Sequence, residues 1–239
     1  MPSTGRKAGP VTRFDTGVTL CRLVIFDLDG TLVDSLGDLA DAMNAVLRSA
    51  DYPEHPRVRY RTYVGDGMVN LVRRALPVGA VNDETVAEFV KRMSDEYARR
   101  CLDSTAPFPR IPELLQNLRE RGVKTAVLSN KPDEATQAVV NRLFADHPFD
   151  VIRGALPGVP LKPDPTSALE VVRDCGVDLG DTVYVGDTDT DMKTGRNAGL
   201  FTVGVTWGFR DAAELNASGA HEIVEHPLDL LSMCLGEED

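Results

Sequence analysis

The sequence predicts an α/β protein with a doubly wound, Rossmann-like parallel sheet and an inserted all-helical domain. Apolar strand-like runs alternate with helix-like segments over most of the chain, which is typical of a parallel sheet covered by helices. One long block interrupts this alternation and shows helical periodicity alone. At 239 residues the chain is long enough for one α/β core with a smaller inserted domain.

Five strands and six helices are predicted for the α/β core. The strands are expected at 22–27, 123–129, 150–153, 182–186 and 200–205. The helices are expected at 111–122, 132–146, 164–176, 188–199, 211–219 and 227–235. Pro112 and Pro165 favour first helical turns, and Gly122, Gly176 and Gly199 lie where left-handed residues commonly end helices.

The interrupting block is predicted to be a helical cap. Apolar side chains repeat at helical spacing at Leu36, Leu39, Met43, Val46, Leu47 and Ala50. Further helical patterns follow at about 67–76 and 83–102, with no convincing strand. The predicted organisation is therefore an N-terminal extension (1–20), an α/β core (21–35 and 106–239) and a cap (36–105). Linkers near 34–36 and 104–110 would act as hinges.

Composition excludes several classes of protein. A net charge of -11 argues against a general nucleic-acid surface. No apolar stretch approaches the roughly 20 residues of a membrane span, and the first residues lack the apolar region of a secretory signal. The four cysteines are widely spaced, which favours reduced thiols in the cytoplasm over a zinc site. The chain could be a monomer or a homodimer.

The first functional motif ends the first predicted strand. Asp27 and Asp29 stand two residues apart where Gly30 breaks the strand. Side chains alternate along a strand, so both carboxylates begin on one face and converge at its tip. Burying two like charges is costly unless a cation or proton is shared. The pair therefore suits a divalent metal with acid/base chemistry, and it predicts a phosphoryl-transfer enzyme.

Three further polar segments lie at later strand ends or ahead of helices. Ser129 and Asn130 close a predicted strand, and Lys162 precedes a helix in Leu-Lys-Pro-Asp-Pro. Asp187 and Asp191 lie in an Asp-Thr-Asp-Thr-Asp run at the next strand-to-helix turn. Taken alone, each segment has an ordinary interpretation as a turn, a solvated charge or a helix N-cap. The carboxyl ends of parallel strands form one crevice, so we expect these side chains to meet there.

Taken in order, these four motifs resemble the phosphatases of the haloacid dehalogenase superfamily that carry a helical cap after the first motif. The resemblance extends from about residue 21 to the C-terminus and includes the inserted block. One Asp-x-Asp motif would be weak evidence, because it is common by chance. Four motifs in order, each placed by a predicted strand or helix, make the resemblance specific.

The resemblance implies chemical roles for the acidic residues. Asp27 would be the nucleophile that forms an aspartyl-phosphate. Asp29 would protonate the leaving oxygen and then deprotonate the attacking water. A hard, oxygen-ligated Mg²⁺ would bind the Asp27 carboxylate, the Asp29 backbone carbonyl and the Asp187 carboxylate.

The same resemblance implies roles for the remaining motif residues. Lys162 would neutralise the nucleophile and the phosphoryl group. The Ser129 hydroxyl and the backbone around Asn130 would bind the phosphoryl oxygens. Asp191 would orient Lys162 or a metal-bound water instead of ligating the metal.

The cap is expected to select the substrate, a small phosphorylated metabolite. Gly65, Asp66 and Gly67 form a loop between cap helices, where glycines allow close backbone approach. This loop and the segment 205–210 are similar to those of phosphoglycolate phosphatases, which hydrolyse 2-phosphoglycolate to glycolate. The arginines of the cap (Arg61, Arg73 and Arg74) could meet an anionic group of the substrate, but we expect them to be solvated helix residues. Trp207 is expected to be a packing residue.

Other activities remain open at the level of sequence. Related caps occur on enzymes that act on pyrophosphate, nucleotides and sugar phosphates. A β-phosphoglucomutase-like mutase would use the same core and the same aspartyl-phosphate. A receiver domain of a signalling protein is also doubly wound and phosphorylated on aspartate, but receivers are about half this length and lack the helical insertion.

Overall fold

A computed structural model describes residues 21–235 as an α/β protein with two sheets; the predicted extension at 1–20 lies outside the described residues. The strands, numbered in chain order, are β1 (Leu23–Phe26), β2 (Val33–Asp34), β3 (Ala106–Pro107), β4 (Lys124–Pro132), β5 (Val151–Ala155), β6 (Thr182–Gly186), β7 (Phe201–Val205) and β8 (Glu222–Val224). The main sheet has the order β5-β4-β1-β6-β7-β8, and its paired strands are parallel. The doubly wound sheet is therefore confirmed.

Ten α-helices are described within the same residues. They are α1 (Leu36–Arg48), α2 (Arg57–Tyr60), α3 (Met68–Ala75), α4 (Asp83–Arg100), α5 (Ile111–Glu120), α6 (Asp133–Leu143), α7 (Thr166–Cys175), α8 (Asp189–Ala198), α9 (Ala212–Ala217) and α10 (Asp229–Leu235). Helices α1 to α4 follow one another between β2 and β3 without an intervening strand. None of the helices in the described part of the chain is long and apolar enough to cross a bilayer.

The sequence-based element bounds differ from the structure at a few places. Strand β4 runs to Pro132 instead of ending at Ser129, with a shift in its register after Leu128. Strand β8 and the one-turn helix α2 were not predicted, because three- and four-residue elements carry too little periodicity. The two predicted linkers are also more regular than expected, because β2 and β3 pair antiparallel, with Val33 opposite Pro107.

The main sheet separates two apolar clusters. Successive residues of β1 point to opposite faces, so Val24 and Phe26 join the cluster that includes residues of α1, α3 and α4, the block predicted to be a cap. Leu23 and Ile25 join the other cluster, with residues of α7. All four side chains are fully buried, and each contributes about 2 kcal/mol of hydrophobic stabilisation. This central strand is therefore fixed on both faces and along both edges.

The order of the main sheet places one crevice beside β1. From β1 the chain adds β4 and β5 on one side and then returns to add β6, β7 and β8 on the other. The carboxyl ends of β1, β4 and β6 therefore meet where the winding reverses, which is the usual ligand site of such sheets. All four cysteines are buried free thiols, as the sequence indicated.

Candidate active site

Asp27 and Asp29 lie at the carboxyl end of β1 and are both buried. The backbone N–H of Asp27 donates to the carbonyl of Val185 at 2.9 Å, which continues the ladder with β6. The chain then turns sharply at Gly30, where φ is +93°. A Cβ atom there would lie 2.2 Å from the Asp187 Oδ2 atom, so only glycine fits. The turn thus brings the first and last acidic motifs together.

Lys162 supplies a buried positive charge to this acidic group. Its ammonium donates to Asp27 Oδ1 at 2.8 Å, to Asp191 Oδ1 at 2.7 Å and to the carbonyl of Leu128 at 3.1 Å. Burial lowers the pKa of Lys162, but Asp191 and Asp27 outweigh burial and raise the pKa well above its usual value. The side chain is therefore charged and fully committed to these three acceptors.

Asn130 positions Lys162 through its backbone. The Asn130 Oδ1 atom accepts from the Lys162 N–H at 2.9 Å, and its Nδ2 atom donates to the Lys162 carbonyl at 3.0 Å. The same Nδ2 atom lies 3.3 Å from the carbonyl of Gly65. The side chain of Asn130 thus joins β4 to the lysine segment and to the cap. The Ser129 hydroxyl accepts from the Lys131 N–H at 3.2 Å.

Three buried carboxylates form a group that could hold a cation. One oxygen each of Asp27, Asp187 and Asp191 lies within 4.8 Å of the others. Burial raises the pKa of Asp27 to about 7, with a further rise from Asp191 and a lowering by Lys162. Burial also raises the pKa of Asp187 well above its usual value, helped by Asp191 and Asp27. One ammonium among three carboxylates leaves a site that a divalent cation would stabilise.

Neighbouring hydrogen bonds fix the orientation of two of these carboxylates. Asp187 accepts from the Thr31 hydroxyl at 3.1 Å and from the Phe209 N–H at 2.7 Å. Asp191 accepts from the hydroxyl of Thr188 at 2.6 Å in the capping box of α8. The donor set consists of hard carboxylate oxygens, which suits Mg²⁺. Asp191 also contacts Lys162 directly, the contact that the sequence analysis expected for it.

Lys131 is a site residue that the sequence analysis missed. Its ammonium is buried and donates to Asp29 Oδ1 at 2.7 Å and to the Tyr97 hydroxyl of α4 at 2.5 Å. The lysine directly follows the Ser129-Asn130 motif, so the unexpected length of β4 carries it into the site. A lysine next to a recognised strand-end motif was the available signal. Its partner Tyr97, far away in sequence, gave none.

The Gly65–Gly67 loop of the cap contacts the core beside the site. Asp66 accepts from the Thr190 hydroxyl at 2.5 Å and also from Arg74. Gly65 and Gly67 both have positive φ, at +122° and +85°. This loop therefore lies directly against the acidic motif of α8.

The cap arginines match only in part the expectation that all three are solvated helix residues. Arg61 donates to the carbonyl of Gly208 in the core at 2.5 Å, and Arg74 donates to Asp66 and to the carbonyl of Tyr63. Arg73 matches the expectation more closely, since its exposed side chain pairs with Asp83 on the cap. A guanidinium carries five N–H donors, so Arg61 and Arg74 can each donate to a backbone carbonyl while the rest of the group faces solvent. All three side chains are exposed, as expected, but Arg61 and Arg74 also donate to acceptors that the sequence did not indicate.

Trp207 packs partly buried against the core, and its Nε1 atom donates to the carbonyl of Thr31 at 2.9 Å. This contact agrees with the packing role expected from the sequence. It also ties the loop after β7 to the turn that follows Asp29. The loop after β7 is thus held close to the buried carboxylates of the site.

A small cavity lies between the cap and the end of the sheet. Its volume is about 40 Å³, and Asp27, Asp29, Ser129, Lys131 and Tyr97 contribute to its wall. That space holds only a few water-sized groups. Two carboxylates and the Lys131 ammonium therefore line a space for a small anionic molecule, and Lys162 contacts Asp27 beside it.

Comparison with known proteins identifies the family. The family described as haloacid dehalogenase-like hydrolase matches residues 24–205. A phosphoglycolate phosphatase of Aquifex aeolicus is 32% identical over 212 residues, covering 89% of this chain and 96% of the relative. A phosphoglycolate phosphatase of Pseudomonas putida is 33% identical over 220 residues, covering 90% of this chain and 80% of the relative.

Solved structures agree with this assignment. A protein from Lactobacillus delbrueckii subsp. bulgaricus has a TM-score of 0.86 and 32% identity, covering 92% of this chain and 100% of the other. A predicted phosphoglycolate phosphatase from Haemophilus somnus has a TM-score of 0.82 and 28% identity, covering 91% and 99%. The chain therefore belongs to the haloacid dehalogenase-like hydrolase family, and it is a phosphatase of that family.

Proposed function

We propose that this phosphatase hydrolyses 2-phosphoglycolate to glycolate and phosphate through an aspartyl-phosphate on Asp27. The curated relatives named above carry the name of this activity and match the chain over most of its length. The small volume of the cavity supports a substrate with few atoms beyond its phosphoryl group. Nucleotides and hexose phosphates are larger than 2-phosphoglycolate and would require a greater enlargement of that space.

The contact between Lys162 and Asp27 carries the proposal. An ammonium 2.8 Å from a buried carboxylate holds one Asp27 oxygen in place and leaves the other for attack on phosphorus. Attack by this oxygen breaks the bond from phosphorus to the leaving oxygen and forms the aspartyl-phosphate. Lys162 then neutralises charge on the transferred group, and the Ser129 hydroxyl is near enough to the cavity to bind a phosphoryl oxygen.

Asp29 is proposed to move the protons of both steps. The Ser35 hydroxyl at 2.5 Å and the Lys131 ammonium at 2.7 Å fix its Oδ1 atom. The carboxyl group gives a proton to the oxygen of glycolate as the first bond breaks. It then accepts a proton from the water that attacks the aspartyl-phosphate, which releases phosphate and regenerates Asp27.

Asp27, Asp187 and the backbone carbonyl of Asp29 are proposed to hold Mg²⁺. The group of buried carboxylates fits such an ion, as described above. When bound, Mg²⁺ would neutralise negative charge on the phosphoryl group and orient it. We also propose that residues 36–105 act as a cap that moves relative to the core, because both parts line the cavity and leave little space between them for a substrate.

Phosphate release from a panel of phosphoesters tests the proposed function. The panel contains 2-phosphoglycolate, pyrophosphate, a nucleoside monophosphate, a hexose 6-phosphate and β-glucose 1-phosphate, each assayed with Mg²⁺ and with EDTA. We expect the highest kcat/KM for 2-phosphoglycolate and no turnover in EDTA. A higher kcat/KM for another ester would overturn the substrate. Conversion of β-glucose 1-phosphate without phosphate release would indicate a mutase instead.

A further inference from the structure

Lys131 is a second buried cation in the site, beside Lys162. Its side chain is 3% exposed, and its ammonium contacts Asp29 Oδ1 at 2.7 Å and the Tyr97 hydroxyl at 2.5 Å. The ammonium also lies 4.6 Å from the centre of the Tyr97 ring. Burial lowers the pKa of Lys131, but Asp29 and Tyr97 outweigh burial and raise it overall, so the group is charged. Phosphoryl transfer as proposed above needs only Lys162.

Lys131 and Tyr97 each have one hydrogen-bond donor without an acceptor among the described residues. An ammonium has three N–H groups, and within residues 21–235 those of Lys131 have two hydrogen-bond acceptors. The Tyr97 hydroxyl accepts from Lys131, and its own proton has no acceptor in that part of the chain. Burial raises the pKa of Tyr97, so the hydroxyl keeps this proton. Two polar donors thus converge on one wall of the cavity.

The rest of the cap wall around these donors is mostly apolar. Leu39, Val64, Met68 and Leu71 line the same cavity. An anionic group that enters the cavity beyond the reacting phosphate would therefore find its partners at Lys131 and Tyr97. Burying a charge among the apolar side chains without such partners would be costly.

The position of Asp29 determines which part of a substrate reaches Lys131. As the proton donor, Asp29 must contact the oxygen that bridges phosphorus and the leaving group. Lys131 contacts Asp29 directly, so its ammonium would lie next to the leaving group. In 2-phosphoglycolate a single methylene separates the bridging oxygen from the carboxylate. That carboxylate would then lie beside Lys131 and the Tyr97 hydroxyl.

We infer that Lys131 and Tyr97 bind the carboxylate of the substrate and select short phosphorylated acids over neutral phosphomonoesters. The inference rests on the proposed function and names the residues that set its specificity. Lys131 belongs to β4 of the core, whereas Tyr97 belongs to α4 of the cap. The carboxylate would therefore be held between the two parts of the protein, and it would favour closure of the cap over the reacting phosphate.

Hydrolysis of two matched esters tests this inference. Ethyl phosphate has the skeleton of 2-phosphoglycolate with a methyl group in place of the carboxylate. The measurement is kcat/KM for both esters in the wild type, in Lys131→Met and in Tyr97→Phe. Loss of Lys131 also changes the surroundings of Asp29. That effect lowers kcat/KM for both esters alike, so it cancels in the ratio of kcat/KM for 2-phosphoglycolate to kcat/KM for ethyl phosphate. Tyr97→Phe keeps the ring and removes only the donor.

We expect the wild type to prefer 2-phosphoglycolate and Lys131→Met to reduce that preference on the order of 100-fold, as when one partner of a buried charge pair is removed. Tyr97→Phe should reduce it about tenfold. Lys91→Met, at an exposed lysine on α4, is the control and should keep the preference. A wild-type preference that survives in both Lys131→Met and Tyr97→Phe would overturn the inference but not the proposed function. A wild type without any preference would also overturn the inference, whereas a wild type with a higher kcat/KM for ethyl phosphate would overturn the proposed substrate as well.

Discussion

The guanidinium of Arg61 donates to the carbonyl of Gly208, 2.5 Å away, across the boundary between the cap and the core. The next residue, Phe209, donates its N–H to Asp187 at 2.7 Å. In the opposite direction, Arg210 of the same loop donates to the carbonyl of Val64 on the cap at 2.9 Å. The loop after β7 therefore links residues of the predicted cap to an acidic residue of the site.

Replacement of Arg61 by methionine should weaken closure of the cap. The substitution removes a charge-assisted hydrogen bond worth about 2 kcal/mol in the closed form. We expect KM for 2-phosphoglycolate to rise several-fold or more, and amide hydrogens of the loop 65–67 to exchange faster. Steady-state kinetics and hydrogen exchange by mass spectrometry measure both effects. Arg73→Met is the matched control, because Arg73 pairs with Asp83 within the cap. Equal KM values for the two variants would contradict the proposed role of Arg61.

Replacement of Gly208 by alanine should displace Asp187 and lower both stability and activity. A Cβ atom at this position would lie 2.3 Å from the carbonyl oxygen of Gly30 and 2.5 Å from Asp187 Oδ2. Both neighbours are fixed, so the loop must shift, at a cost of about 1–3 kcal/mol. We expect a lower free energy of unfolding in urea and at least a tenfold loss of kcat. Gly180→Ala is the control, since its Cβ would meet no atom within 4 Å. Unchanged activity in Gly208→Ala would show that Asp187 tolerates displacement.

Asp38 should stabilise the junction between α1 and β3 in a pH-dependent way. Its carboxylate accepts from the backbone N–H groups of Ser104 and Thr105 at 2.9 Å each and from both hydroxyls. Burial raises the pKa of Asp38, but these hydrogen bonds outweigh burial and hold the pKa below 3.8. The folded state therefore favours the ionised form, so this stabilisation is present above about pH 4 and is lost as pH falls through the lower folded pKa.

Urea unfolding of Asp38→Asn tests this account of the junction. At pH 7 we expect the variant to be about 2 kcal/mol less stable than the wild type, because an amide N–H₂ replaces an acceptor in front of two donors. Near pH 3 the difference should shrink, as the wild type begins to lose its ionised carboxylate. Asp95→Asn, on the exposed face of α4, should change little at either pH. A difference independent of pH would contradict the assignment to the charge.

The sequence predicted the parts of the fold that depend on strong local patterns. The runs that became β1, β6 and β7 are apolar, and the glycines after α7 and α8 adopt the left-handed conformation expected at helix ends. Strand β8 escaped prediction because three residues at the edge of a sheet carry little periodicity. Its existence depends on pairing with β7, a tertiary contact that local pattern does not encode.

The sequence predicted those residues of the candidate site that lie at strand ends and are brought together by the order of the sheet. The acidic motifs and Lys162 meet because parallel strands share one carboxyl edge. Lys131 was not predicted, because its importance depends on Tyr97, which is 34 residues away in the cap. The cap contacts of Arg61 and Arg74 were missed for the same reason. Such contacts depend on how the helical block 36–105 packs against the core, which the sequence pattern leaves open.

The role of Asp27 as the nucleophile is the central claim, and its replacement by asparagine tests it most directly. The amide keeps the shape of the side chain, but it lacks the negatively charged oxygen that attacks phosphorus. Asp189→Asn is the control, because Asp189 belongs to the acidic run of α8 but pairs with Lys193 at the surface.

The measurement is Mg²⁺-dependent hydrolysis of 2-phosphoglycolate and p-nitrophenyl phosphate by the wild type and both variants, with folding checked by circular dichroism. The account predicts that folded Asp27→Asn has no measurable turnover of either ester, while Asp189→Asn remains active. Folded Asp27→Asn that keeps most of the wild-type activity would contradict the account.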